Sequence, residues 1–172
     1  MTTDQAVNPA HDAAEIEDGF RLAMRKLAST VSLVTTVEAG IRYGMPATAV
    51  SSLSLEPPSL LVCVNRSASM HGPTTRSRYF CVNLLSHAQA PLLGEFSSRA
   101  SAERFGVGGW KTGPFGLPFL PDAASYLFCA VEDELHYGTH TVFIGRVTGV
   151  QADETAPALI YHAGATGRFV QD

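Results

Sequence analysis

Residues 44–69 read GMPATAVSSLSLEPPSLLVCVNRSAS, and this stretch decides the fold. It opens as an alternating run. Met45, Ala47, Ala49, Ser51 and Leu53 fall on one face of a strand, and Pro46, Thr48, Val50, Ser52 and Ser54 on the other. The first face is small and mostly apolar; the second is rich in hydroxyls. Pro57-Pro58 cannot continue a hydrogen-bonded ladder, so the strand is expected to end before them. Ser59 to Val64 then reads as a short buried strand delivering the chain into Asn65-Arg66-Ser67-Ala68-Ser69. That segment holds one cation and several short donors, a composition suited to cradling a phosphate or a polar, planar ligand. The same composition is also ordinary for a turn.

Outward from this stretch, short strands dominate. Ser29 to Val37 is rich in β-branched residues, and Glu38-Ala39-Gly40 reads as a hairpin turn into Ile41. Tyr79 to Leu85, Ser125 to Tyr137, His140 to Gln151 and Ala158 to Tyr161 are further strands. Gly164 to Gly167 is a turn, and Arg168-Phe169-Val170 is expected to form a last strand. Helices are few. Asp12-Ala13-Ala14-Glu15 has the spacing of a capping box. It predicts a helix over 13–28 whose stripe of Ile16, Phe20, Met24 and Leu27 packs on the core. Ser86 and Gln89 form a second capping box, opening a helix over 87–97 with Leu92, Leu93 and Phe96 on its buried face. Gly72-Pro73 argues against a helix starting at residue 70. Residues 98–121 are rich in Gly and Pro, a pattern of lids and interface arms.

The chain has 172 residues, 45% apolar and 16% charged, which predicts one globular domain over 13–172 behind a flexible tail over 1–12. A net charge of −4 argues against nucleic acid or an anionic membrane as partner. The opening residues lack the apolar core of a signal peptide, and no apolar run is long enough to span a bilayer. Cys63, Cys81 and Cys129 each sit in an apolar run without a Cys-x-x-Cys spacing, so buried free thiols in a reducing cytoplasm are expected. The six histidines show no metal-ligand spacing, so no metal is expected. No Walker loop, nucleophile elbow or strand–GxGxxG–helix unit is present.

The patterns Gly-Met-x-Ala-Thr-Ala-Val-x-Ser, from Gly44, and Pro-Pro-Ser-Leu-x-Val-Cys, from Pro57, resemble the flavin reductase family. Within it, the chain is most similar to the small reductase components of two-component aromatic monooxygenases of the 4-hydroxyphenylacetate 3-monooxygenase type, and also to the reductases of pyrimidine breakdown. Glu103-Arg104-Phe105, Trp110 and Gly138-Thr139-His140 extend the similarity, which runs from Phe20 to Phe169.

The resemblance implies a mainly β fold: a six-stranded antiparallel Greek-key split β-barrel with a few flanking helices, usually a homodimer. It implies hydride transfer from NADH or NADPH to FMN or FAD, with reduced flavin diffusing to a flavin-dependent monooxygenase component. The implied flavin contacts are Met45, Pro46, Thr48, Ala49, Ser51, Ser52, Asn65, Arg66, Ser67 and Ser69, with Asn83 a further candidate. Arg104 and Phe105 are implied to hold the phosphate or stack on a ring; pinning the 98–121 arm to the barrel is an equal reading of the same two residues. His140 is implied to lie at the flavin edge against the nicotinamide. Two alternatives stand beside this: a flavin-binding module without turnover, and a split-barrel oxidoreductase related to the pyridoxamine phosphate oxidases.

Overall fold

The computed structural model describes residues 12–99 and 103–170, so all of the expected 1–12 tail except Asp12, which caps the first helix, lies outside it, as do residues 100–102 and 171–172. Its elements run α1 (Ala13–Met24), β1 (Ser29–Thr30), β2 (Ser32–Glu38), β3 (Ile41–Ala47), β4 (Val50–Leu55), β5 (Pro58–Asn65), α2 (His71–Ser77), β6 (Tyr79–Leu84) and α3 (Ala90–Ser98). They continue with β7 (Lys111–Thr112), β8 (Pro118–Phe119), β9 (Ser125–Tyr137), β10 (His140–Ala152), β11 (Ile160–His162) and β12 (Ala165–Gly167).

The molecule is mainly β and antiparallel, with few helices. Its main sheet has the order β3-β2-β6-β9-β10-β5-β4, seven strands where six were expected. The extra strand has a local cause. The chain bends at Thr48-Ala49, which divides the Gly44–Leu55 run into β3 and β4. These two pieces occupy the opposite edges of the sheet although only two residues separate them. The bend, and an irregularity in register between Ser52 and Ser54, break the simple two-face alternation read along this run. As expected, β4 stops ahead of Pro57; β5 then starts at Pro58.

The core lies inside the curved sheet. Val34, Val62, Val64, Phe80, Val82 and Phe143 are buried there, with Met70 plugging one end. A second cluster of Leu33, Leu85, Leu92, Phe96 and Leu120 sits between the sheet, α3 and the arm. Burial of each such side chain contributes roughly 1.5–3 kcal/mol. The cysteines are free, as expected; Cys81 and Cys129 are buried, whereas Cys63 is half-buried. Burial pushes the Cys129 thiol up to about 12 and the Cys81 thiol higher still, so neither forms a thiolate at neutral pH.

Four local expectations need correction. The capping box of α1 forms, with Asp12 Oδ1 accepting from the Glu15 amide at 2.8 Å, but α1 buries none of its own residues. Ile16, Phe20 and Leu27 are about 60% exposed, because none of the described elements covers the stripe. A helix does begin at His71. Pro73 falls in its first turn, where the missing N–H has no helical partner to lose. The Ser86–Gln89 box forms too, but it opens a single 3₁₀ turn before α3 begins at Ala90. Finally, the last strand is β12 over Ala165–Gly167, and Arg168 to Val170 is irregular.

Candidate functional site

Three adjacent strands build the site. Along β5 and β10, Asn65 stands opposite His140 and Cys63 opposite Val142. On the other side of β5, the Cys63 amide donates to the Ala49 carbonyl at 3.0 Å, and Val50 and Ser51 pair with Val62 and Leu61. Thr48, Ala49, Ser51 and Ser52, all exposed, therefore lie beside the strand that ends in Asn65.

The 65–69 loop is shaped by Asn65. Its Oδ1 accepts from the Ser67 amide at 2.9 Å and the Ser67 hydroxyl at 2.8 Å. This side-chain turn leaves Arg66, Ser67 and Ser69 exposed and drops Met70 into the core. Arg66 then reaches the β9–β10 hairpin. Its amide donates to the Thr139 carbonyl at 2.9 Å and its Nη2 to the Gly138 carbonyl at 2.6 Å. That hairpin has a two-residue loop, Gly138-Thr139, whose first position takes φ +54°, where glycine is preferred. His140 follows, exposed, with its Nδ1 2.9 Å from the Thr139 hydroxyl. Among the described residues Arg66 has no acidic partner, so its charge is available to an anion.

A layer beneath this surface escaped the sequence reading. Thr141 is fully buried, and its hydroxyl lies 2.8 Å from both His71 Nε2 and His136 Nδ1. The His71 ring also packs on Phe143, with centroids 5.6 Å apart. Burial is the main cause holding the His71 imidazole below its usual value; His136 and Arg66 add to this, and Glu134 opposes it. Seventy residues separate His71 from Thr141, so no sequence spacing marks the pair. Only the placement of α2 against β10 brings them together.

Three predicted residues lie outside this cluster. Asn83 is fully buried; its Nδ2 donates to the Leu33 carbonyl at 2.9 Å and its Oδ1 accepts from the Leu120 amide at 2.8 Å. It clamps β6 to β2 and to the arm. Arg104 donates to the carbonyls of Gly44 at 3.0 Å and Arg99 at 3.1 Å, and lies over the Phe96 ring at 5.5 Å. Phe105 joins Phe96 and Trp110 in an aromatic cluster. Gly44 is required there: a Cβ would stand 2.9 Å from the Phe96 ring. Met45 and Pro46, half-buried on β3, sit just before the bend that leads to Thr48. Among the described residues no cluster of His, Cys, Asp or Glu could hold a metal ion, and no helix is long and apolar enough to cross a membrane.

Residues 24–169 match the family described as flavin reductase like domain. The chain belongs to the flavin reductase family. Its similarity to individual members is high. It is 39% identical over 150 residues to the FMN reductase (NADH) RutF of Stutzerimonas stutzeri (strain A1501), covering 87% of this chain and 86% of that protein. It is 39% identical over 149 residues to the reductase component of the FADH(2)-dependent resorcinol hydroxylase of Rhizobium sp. (strain MTP-10005), covering 85% and 83%. In structure, the Streptomyces globisporus C-1027 NADH:FAD oxidoreductase SgcE6, in complex with NAD and FAD fragments, superposes with a TM-score of 0.84 at 28% identity, over 91% of this chain and 94% of that one. The Asn65–Ser69 loop and the Gly138–His140 hairpin thus lie within the part of the chain that the flavin reductase family accounts for.

Proposed function

We propose that this chain is an NADH-dependent reductase of FMN or FAD that supplies reduced flavin to a partner monooxygenase. One observation carries the placement of its site: the β5–β10 register sets Asn65 against His140 while Arg66 bonds the hairpin tip from the other side. The residues fit a flavin nucleotide by their donor chemistry. An exposed guanidinium without an acidic partner, with the hydroxyls of Ser67 and Ser69, suits a phosphate. The backbone and small side chains of Met45, Pro46, Thr48, Ala49, Ser51 and Ser52 suit the edge and face of a flat ring. His140 stands where it can orient the nicotinamide. Hydride exchange is chemistry the two cofactors supply when bound; the chain's own task is to hold both rings in register.

The buried hydrogen bonds of Asn83 and the aromatic packing of Phe105 favour structural roles for both, and Arg104 serves the arm first. The fold reading extends the same way. With β3 and β4 taken as one bent strand, the seven strands become six that close as a Greek-key split barrel; the Cys63–Ala49 bond across the join supports this. The bare apolar stripe of α1 supports a homodimer, since a 12-residue helix that buries nothing gains little stability alone. The localisation that fits this role is the cytoplasm.

The test is NADH oxidation by the purified protein with and without added FMN or FAD. Turnover that depends on flavin concentration is the expected result. A protein that binds flavin but leaves NADH unoxidised is a binding module and not a reductase.

A further inference from the structure

A sizeable cavity lies away from the Asn65–His140 cluster. It has a volume of about 560 Å³ and opens at the other end of β5, around Pro58 to Leu60. Asn65 lies six residue steps along β5 from Ser59, about 20 Å at the usual strand rise. Leu60, Leu84, Leu127 and Val147 form its walls, and hydroxyls that include Ser51 and Ser52 fringe it. Among the described residues no charged side chain or histidine lines it. A phosphate, carboxylate or pyridinium would lose its hydration there with nothing to replace it.

One polar residue of the lining is both buried and without a partner. Ser32 is fully buried on β2, and its hydroxyl has no hydrogen-bond partner among the described residues. A buried hydroxyl without a partner costs free energy, so its presence on a cavity wall calls for a group to meet it. The cavity size lies within the range of small-molecule sites, which combine apolar walls with a few placed polar groups.

The geometry points to a second binding site, for an uncharged, ring-sized molecule carrying one hydroxyl or carbonyl that bonds Ser32. Its apolar floor lies about 20 Å from the phosphate-binding end of the molecule and differs from it in chemistry; Ser51 and Ser52 at its rim are the residues it shares with the side proposed for the flavin ring. The ligand class is neutral and phenol-like, with its ring on the leucine and valine walls and its oxygen at the Ser32 hydroxyl.

Phenol and benzene are the probes, since they share a ring and differ by one hydroxyl. Calorimetric titration of the intact protein is expected to show phenol binding about fivefold more tightly than benzene, the effect of one neutral hydrogen bond. Ser32→Ala is expected to abolish that preference while keeping benzene binding. This variant removes an unbonded hydroxyl and leaves the packing, so it should melt no lower than wild type. Val147→Phe, which fills the cavity, is expected to bind neither probe. FMN affinity, measured separately, is expected to stay unchanged in both variants. The proposal is overturned if wild type binds neither probe, if it does not distinguish them, if Ser32→Ala keeps the phenol preference, or if FMN competes with phenol. The readout uses no NADH, so a failure here and a failure of the reductase reading are separate results.

Discussion

His140 and Asn65 stand opposite one another across the β5–β10 pair, 75 residues apart in sequence, with Arg66 tying the loop of one to the hairpin of the other. This relationship divides the labour expected at the site. In the proposed reading the Asn65–Ser69 side would hold the anion, and the Gly138–His140 side would face the second nucleotide.

His140→Ala is therefore expected to raise the Michaelis constant for NADH or lower turnover, with flavin affinity near wild type. Its side chain is exposed and bonds only its neighbour Thr139, so the melting temperature should hardly move. Stopped-flow reduction of bound flavin beside a thermal melt checks this. Wild-type reduction rates and NADH affinity in a folded variant would remove His140 from the reaction.

Arg66→Ala is expected to weaken flavin binding on the order of tenfold or more, the value of a charge-assisted hydrogen bond of about 1.5–3 kcal/mol. Because Arg66 also bonds the Gly138 carbonyl, Arg66→Lys should restore part of the phosphate attraction and little of the clamp. Fluorescence titration of FMN against the three proteins separates these contributions. An unchanged flavin constant in Arg66→Ala would move the phosphate elsewhere.

Asn83→Ala is expected to destabilise the fold by about 2–4 kcal/mol, since it orphans the Leu120 amide and the Leu33 carbonyl in the core. Flavin affinity of the folded fraction should not change. Denaturant unfolding measures the first and fluorescence titration the second; a selective loss of flavin binding at full stability would return Asn83 to the site.

The fold was legible where local chemistry decides it. The Asp12 and Ser86 capping boxes and the Pro57 strand end follow from short-range rules and appear as expected. What was not legible depends on long-range placement. The stripe of α1 reads as core because periodicity shows that a face is apolar, not what covers it. Asn83 reads only as a weaker flavin candidate, since a buried amide is bonded in any case, and the sequence does not say that Leu33 and Leu120 are its partners. The His71–Thr141–His136 bridge has no sequence signal at all. The proposed site rests on similarity, as the Asn65–Ser69 loop alone is ordinary turn composition.

That bridge gives a pH dependence. The folded His71 imidazole sits below its usual value of 6.5, chiefly through burial. The unfolded chain therefore binds a proton that the folded chain resists, and stability falls as pH drops through 6.5 toward the folded value. Above that window the contribution is flat. Thermal melts across this range should show the fall in wild type and a shallower one in His71→Gln, with Glu134, His136 and Arg66 left in place. An equal slope in both proteins would assign the effect to other groups.

Phe20→Asp is expected to weaken self-association on the order of tenfold or more, by placing a charge in the apolar stripe of α1. Sedimentation of both proteins across micromolar concentrations checks it. A wild-type protein that is monomeric throughout would remove the dimer.

The most direct test of the central claim, that the 65–69 loop and the 138–140 hairpin form one cofactor site, is a crystal structure of the protein with FMN bound. The phosphate is expected within hydrogen-bond distance of Arg66 and of Ser67 or Ser69, and the ring along Pro46 to Ser52 with one edge toward His140. A flavin seated in the Ser32 cavity, or a phosphate held by Arg104, would contradict it.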